Sequence, residues 1–268
     1  MAANDVAALA ARIHGASRLT ILTGAGVSAA SGVPTFRGPG GLWRRYRAED
    51  LATPEAFARD PGLVWEWYAW RREKIAECRP NAAHDVIAAW SAAGAARVGP
   101  PDDPPPRSDK TSRLEVTVLT QNVDDLHVRA GTRALVRLHG SVWELSCWDR
   151  CASGLTPWRD ERVPLAPSPP TCPHCGRLAR PAVVWFGEPL RTEDVDAALR
   201  ATACDVFLTV GTSSLVYPAA GLVHDARRQG AFTAEVNIEA TPASSQVDLA
   251  IQGGADLILP MVDGLLNP

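Results

Sequence analysis

The chain has 268 residues, enough for one large domain or one domain with a smaller module. Its 46% hydrophobic and 21% charged residues exclude a disordered or fibrous protein. With 27 Lys+Arg against 30 Asp+Glu and no strongly basic block, the formal charge of −3 argues against direct nucleic-acid binding. No run reaches the ~18–20 apolar residues that span a bilayer and the N-terminus carries no basic stretch, so a cytoplasmic protein with no membrane route is expected.

Residues 4–14 carry apolar side chains at helical spacing, and 18–23 form a short apolar run ending at Gly24, a buried strand that feeds a glycine turn. Similar runs at 115–120, 134–138, 182–186, 205–210, 232–236 and 256–260, separated by helix-length segments, predict the α/β class with a doubly wound parallel sheet. Two stretches interrupt the rhythm: 37–95, with helices but no strand, and 143–180, loop-rich with four clustered cysteines. Residues 99–110 contain five prolines and read as a surface loop without a catalytic role.

The turn Gly24-Ala25-Gly26-Val27-Ser28 directly follows a strand, where glycines let a pyrophosphate approach the backbone; a plain strand-to-helix turn is the alternative. A dehydrogenase would place a ribose-binding acid ~20 positions on, after a second strand; here the chain runs into the loop Pro34–Gly41 instead. Gln121-Asn122-Val123-Asp124 sits at the carboxyl end of the 115–120 strand, where open α/β sheets place ligands, although Asn122 or Asp124 could simply cap the next helix. His139 follows another strand end and suits proton transfer near neutral pH, whereas His14, His84 and His224 read as structural.

Cys147-x-x-x-Cys151 and Cys172-x-x-Cys175 supply four thiolates in two close pairs. That pattern closes a tetrahedral zinc site with no position left for substrate, so the ion is structural; a redox role is the alternative, and His174 reads as a bystander or a substitute ligand. The aromatic segment 64–74 has helical spacing and reads first as a core stripe with a solvated basic edge.

These motifs, from Gly24-Ala25-Gly26 through Pro34-Thr35-Phe36-Arg37, Thr120-Gln121-Asn122-Val123-Asp124-Asp125-Leu126-His127, Leu138-His139-Gly140-Ser141, the cysteine pairs, Gly211-Thr212-Ser213 and Glu235-Val236-Asn237, occur in the order of the sirtuin family. The chain resembles that family over about residues 18–260, departing from it in the three residues inside the first cysteine pair, where two are usual. The resemblance implies a single catalytic domain over 1–268. Its Rossmann-like doubly wound parallel sheet would be built from about 1–36, 113–142 and 181–268, with a helical insertion at 37–95 and an inserted small zinc-binding module at 143–180.

It further implies that NAD is consumed as a co-substrate and that acyl-lysine proteins are the partners. NAD would be held by Gly24, Ala25, Gly26, Ser28, Phe36, Arg37, Gln121, Asn122, Asp124, Gly211, Thr212, Ser213, Asn237, Gly254 and Ala255, with His139 as general base and Asn122 orienting the nicotinamide ribose and a water. Val184, Trp185, Phe186 and Gly187 resemble the stretch that pairs by backbone with an extended acyl-lysine peptide. In the subgroup that removes acidic acyl groups a Tyr-x-x-Arg pair binds the acyl carboxylate and a small residue makes room for it; Tyr68, Arg71 and Ala52 fit those places. The expected activity is therefore NAD-dependent desuccinylation or demalonylation with some deacetylation, giving nicotinamide, O-acyl-ADP-ribose and free lysine. An ADP-ribosyltransferase and an NAD-sensing interaction module are the rivals, and the oligomeric state is open.

Overall fold

Strands that are apolar at nearly every position need cover on both faces, and the helices supply it. The computed structural model describes residues 2–33, 48–95 and 114–267. In chain order these form α1 (Ala2–His14), β1 (Arg18–Thr23), α2 (Ala48–Leu51), α3 (Pro54–Arg59), α4 (Pro61–Glu77), α5 (Ala82–Ala95), β2 (Glu115–Thr120), α6 (Leu126–Arg129), β3 (Leu135–Arg137), β4 (Gly140–Cys147), β5 (Trp158–Arg159), β6 (Ala179–Val183), α7 (Thr192–Ala201), β7 (Val206–Val210), α8 (Leu222–Arg228), β8 (Phe232–Asn237), β9 (Leu249–Gln252) and α9 (Ala255–Leu266).

Six strands make one sheet in the order β3-β2-β1-β7-β8-β9, every pairing parallel. Leu19 and Ile21 of β1 face one core, shared with Leu9 and Ile13 of α1, Ile87 and Trp90 of α5, and Leu259 and Val262 of α9. Leu22 faces the opposite core, with Phe207 of β7, Ala198 of α7 and Leu222, Val223 and Ala226 of α8. The strand order reverses between β1 and β7, so the carboxyl ends of these two strands open the crevice where such sheets bind ligands.

Three expectations change. The run 256–260 is not a strand but lies inside α9, because Ala255, Ile258, Leu259 and Val262 recur at helical spacing and a short apolar run alone does not reveal its period. The last strand is β9, Leu249-Ala250-Ile251-Gln252, too short an apolar run to stand out in the sequence. The run 182–186 yields only the end of β6, which belongs to a separate antiparallel sheet in the order β5-β4-β6, so the segment from 143 to 180 is more than loop. Moreover α5, within the stretch taken as a helical insertion, packs Ala83, Val86, Ile87 and Trp90 into the large sheet's core.

Helix α3 is started by Thr53, whose hydroxyl accepts the Ala56 N–H at 3.0 Å, and α4 by Asp60, whose carboxylate accepts the Leu63 N–H at 2.9 Å; each has proline at its first position. The buried face of α4 carries Val64, Trp65, Tyr68, Arg71, Arg72 and Ile75, so of the basic edge expected in solvent Arg71 and Arg72 are inside while Lys74 stays half-exposed beside Glu77. Together with Phe57, Val142, Trp143, Leu145 and Trp185, the apolar residues of that face form a third core between the helices and the small sheet. Among the described residues no helix is long and apolar enough to cross a membrane.

Candidate active site

The turn after β1 is a 3-10 helix, Ala25–Ser31, seated on the turn after β7. Gly26 donates its N–H to the Gly211 carbonyl at 2.7 Å. A side chain at Gly26 would put Cβ 2.7 Å from that oxygen, and one at Gly24 would put it 2.7 Å from Thr212 Cα, so these glycines join the two central strand ends directly. Gln121 Nε2 donates to Thr212 Oγ1 at 2.9 Å and Asn237 Nδ2 to the Thr212 carbonyl at 2.8 Å, which draws the ends of β2 and β8 to the same point. Gly254 precedes α9 at the end of β9, with Ala255 opening that helix; Gly253 donates to the Asn237 carbonyl at 2.8 Å. Ala25 and Ser213 lie half-buried in the same two turns.

Asn122 is buried beneath this crevice and donates through Nδ2 to the Gly24 carbonyl at 3.1 Å and Ser28 Oγ at 3.2 Å. Ser28 in turn donates to Asp124 Oδ2 at 2.8 Å, while Leu126 N–H donates to Asp124 Oδ1 at 2.9 Å. Burial nevertheless raises the Asp124 pKa, with those two donors opposing the shift. Asp124 Oδ1 does accept one helix-opening N–H, as a capping role would have it, yet its other oxygen belongs to the Ser28–Asn122 network.

Two histidines read as structural or left unassigned from sequence join that network. His84 Nδ1 accepts the Asn81 N–H at 3.3 Å, which leaves Nε2–H to donate to Ser28 Oγ at 3.3 Å. His127 Nε2 lies 3.0 Å from Thr23 Oγ1, whose hydroxyl donates to Thr120 Oγ1 at 2.9 Å; Thr120 Oγ1 also accepts the Asn122 N–H at 3.1 Å. The available signals were the Asn81–His84 spacing at a helix start and the position of His127 three residues after Asp124.

His139 occupies the junction of the two sheets, immediately before β4. Its Nδ1 lies 2.9 Å from the Gln121 carbonyl, an acceptor only, so Nδ1 carries the proton and Nε2 keeps its lone pair. Burial lowers the pKa, opposed by that hydrogen bond, and the ring is poised as a neutral base. The next residue, Gly140, has φ +76°, and a Cβ there would sit 2.1 Å from the Ala182 carbonyl oxygen, so only glycine lets β4 leave the base this closely beside β6.

In the 184–187 stretch three backbone N–H groups are already taken within the chain. The N–H groups of Val184, Trp185 and Phe186 donate to the His139 carbonyl at 3.0 Å, Glu188 Oε2 at 2.9 Å and the Ala52 carbonyl at 2.9 Å. Phe186 and Gly187 are exposed, whereas the Trp185 side chain is buried, donating from Nε1 to Tyr68 Oη at 2.9 Å. Tyr68 and Arg71 share the buried face of α4, the guanidinium carbon of Arg71 lying 5.9 Å from the Tyr68 ring centre and 4.9 Å from that of Trp67. Ala52 is buried in the same core.

The Sγ atoms of Cys147, Cys151, Cys172 and Cys175 all lie within 4.8 Å of one another, Cys147–Cys175 at 3.6 Å and Cys151–Cys172 at 3.7 Å. Tetrahedral zinc with Zn–S bonds of ~2.3 Å requires sulfurs ~3.8 Å apart, so the set fits one such ion. The extra residue in the first pair is absorbed by Arg150, which takes a left-handed conformation with φ +53°. Gly154 is tightly enclosed, since a Cβ there would lie 2.5 Å from Cys147 Cβ and 2.8 Å from Cys151 Sγ. Phe36, Arg37 and the proline-rich 99–110 segment lie outside the described residues.

Against known proteins, residues 24–98 and 108–218 match the model of the Sir2 family. The chain is 49% identical over 241 residues to NAD-dependent protein deacylase 2 of Pyrobaculum aerophilum, covering 90% of this chain and 87% of that one. A Sir2 homologue solved as an NAD complex matches with a TM-score of 0.84 and 40% identity over 97% of this chain and 94% of the other. Sir2Af2 bound to a myristoylated histone peptide matches with a TM-score of 0.73 and 28% identity over 99% and 97%.

Proposed function

The chain belongs to the Sir2 family, and we propose that it is an NAD-dependent protein-lysine deacylase that prefers acyl groups ending in a carboxylate, such as succinyl and malonyl, while retaining some deacetylation. NAD would lie across the crevice at the ends of β1, β7 and β8, its phosphates facing the glycine turns and its nicotinamide end facing Asn122 and Asp124. As consumed co-substrate it would supply the ribose carbon that the acyl oxygen attacks as the bond to nicotinamide breaks and nicotinamide leaves. His139 Nε2 takes a proton from a ribose hydroxyl, and its Nδ1–H bond to Gln121 holds the ring in the tautomer that can do so. The four cysteines would hold zinc as a structural ion, since they fill its coordination and leave no position for substrate.

One observation carries the acyl preference: Tyr68 and Arg71 are both buried on one face of α4, beside the small Ala52. Burial, partly offset by Arg71, pushes the Tyr68 pKa up to about 12, so the phenol stays a proton donor; a guanidinium and a phenol on one face can share a carboxylate. The test is NAD-dependent release of free lysine from matched acetyl- and succinyl-lysine peptides, with wild type and Arg71→Met. A succinyl preference that collapses in the variant supports the reading. An acetyl preference indifferent to Arg71 refutes the acidic-acyl part, and no lysine from either peptide shifts the function to ADP-ribosyl transfer.

A further inference from the structure

The direction of the hydrogen bond between Trp185 and Tyr68 limits what the phenol can do. An indole nitrogen is a donor only, so Trp185 Nε1–H donates and Tyr68 Oη accepts, at 2.9 Å. The phenol cannot spend its own proton on Trp185, and among the described residues no acceptor takes it. A buried donor without an acceptor is costly until a ligand supplies one.

Trp185 is itself held in place. The Arg180 guanidinium stacks 3.6 Å from the centre of its ring, and Arg180 is clamped by both carboxylate oxygens of Glu188 at 2.5 and 2.7 Å. Glu188 also accepts the Trp185 backbone N–H, and the Phe57 and Trp148 rings pack at 5.3 and 6.3 Å. The indole N–H is therefore fixed towards Tyr68.

We propose that Trp185 is a specificity-determining positioning residue: by occupying a lone pair of Tyr68 it turns the phenol O–H into a dedicated donor for a carboxylate at the end of the acyl chain. The inference rests on the acidic-acyl reading above and deepens it. A succinyl or malonyl group satisfies the donor, whereas an acetyl group brings no terminal acceptor and leaves it unpaired. The same contact thus attracts one substrate class and penalises the other.

The experiment compares kcat and KM for succinyl- and acetyl-lysine peptides in wild type, Trp185→Phe, Tyr68→Phe and the double variant. Phenylalanine keeps an aromatic ring but removes the N–H together with the pyrrole half of the buried indole, so the packing loss is read from the acetyl peptide and the lost N–H from the ratio. Trp185→Phe is expected to lower the succinyl-to-acetyl ratio of kcat/KM about tenfold, chiefly through KM for the succinyl peptide, and to change that ratio no further in the Tyr68→Phe background. Equal losses on both peptides, or a full effect without the Tyr68 hydroxyl, would reduce Trp185 to a packing residue and overturn the proposal. Arg71→Met separates the two levels: if it leaves the ratio unchanged the acidic-acyl reading itself fails, but if it lowers the ratio while Trp185→Phe does not, only the role of Trp185 fails. Should Trp185→Phe not fold, the indole N–H resonance of Trp185 in wild type decides. It should shift with saturating succinyl-lysine peptide and not with acetyl-lysine peptide, and an identical response to both overturns the inference.

Discussion

His139 gives the sharpest prediction at the scale of one residue. With His139 as the proposed general base, the neutral ring is the active form, and burial lowers its pKa below the ordinary ~6.5, so it stays unprotonated further into acid than free imidazole does. The acid limb of kcat/KM for lysine release should have its midpoint below pH ~6.5, and His139→Ala should lower kcat by about 10²–10⁴-fold and abolish that limb. A midpoint at or above the free value would mean that another group sets the limb. That His139 and Gln121 each lie at a strand end was legible in the sequence, because short apolar runs mark where strands stop; that the two meet was not. The destination of the Trp185 indole was not, because a strand-like run does not say which side chains turn inward when the pairing belongs to a second sheet.

Between elements, the small sheet holds the loop that carries Asn122 and Asp124. Val142 N–H donates to the Val123 carbonyl at 3.0 Å, the Trp143 indole to the Asp124 carbonyl at 3.0 Å, and Arg159 of β5 pairs with Asp125. Asp125 has φ +62° and a fully buried carboxylate that also takes Arg137 of β3 at 3.3 Å. Arg159→Ala leaves Arg137 in place and removes a half-exposed partner, a loss of about 1–2 kcal/mol. Because that loss falls on the loop proposed to face the nicotinamide end, KM for NAD should rise about 3–10-fold while KM for the acyl peptide changes less. Equal changes in both, measured by initial rates, would show that the pair does not position the loop. By the same logic, Cys172→Ser should abolish binding of one zinc per chain, as elemental analysis of wild type and variant would measure, and cut activity without touching the proposed base or the NAD-facing side chains. The cysteine spacing announced that ion, since ligand pairs are local in sequence. The Asp125–Arg159 link was hidden, since ion pairs between distant residues follow from the fold rather than from any local pattern.

For the whole molecule, the buried histidine pair ties stability to pH. The His84 and His127 rings lie 4.9 Å apart, and burial lowers their pKa values from 6.5 to about 4 and about 3. Above pH 6.5 both the folded and the unfolded chain carry them neutral, so their contribution is fully present. As the pH falls below 6.5 the unfolded chain takes up protons first, and the contribution drains away until the folded values near 4 and 3 are reached. In this way His84 can withdraw roughly 3 kcal/mol and His127 roughly 5, a large share of the ~5–15 kcal/mol that stabilises a typical domain. Asp124 works against this loss, since burial raises its pKa and acid relieves the cost of its charge, but only as the carboxylate range is approached. Thermal unfolding should therefore show a steep drop in Tm between pH 6.5 and 4.5, which His127→Gln flattens, and a constant Tm across that interval would mean the pair is hydrated in solution. In the folded chain His84 stays neutral until the pH nears 4, so its bond to Ser28, which in turn holds Asn122 and Asp124, persists while the unfolded chain takes up protons. NAD affinity of the folded protein should therefore show no change through His84 between pH 6.5 and 4.5 even as Tm falls, and a loss of affinity that His84→Gln removes would mean the ring titrates higher in the folded chain.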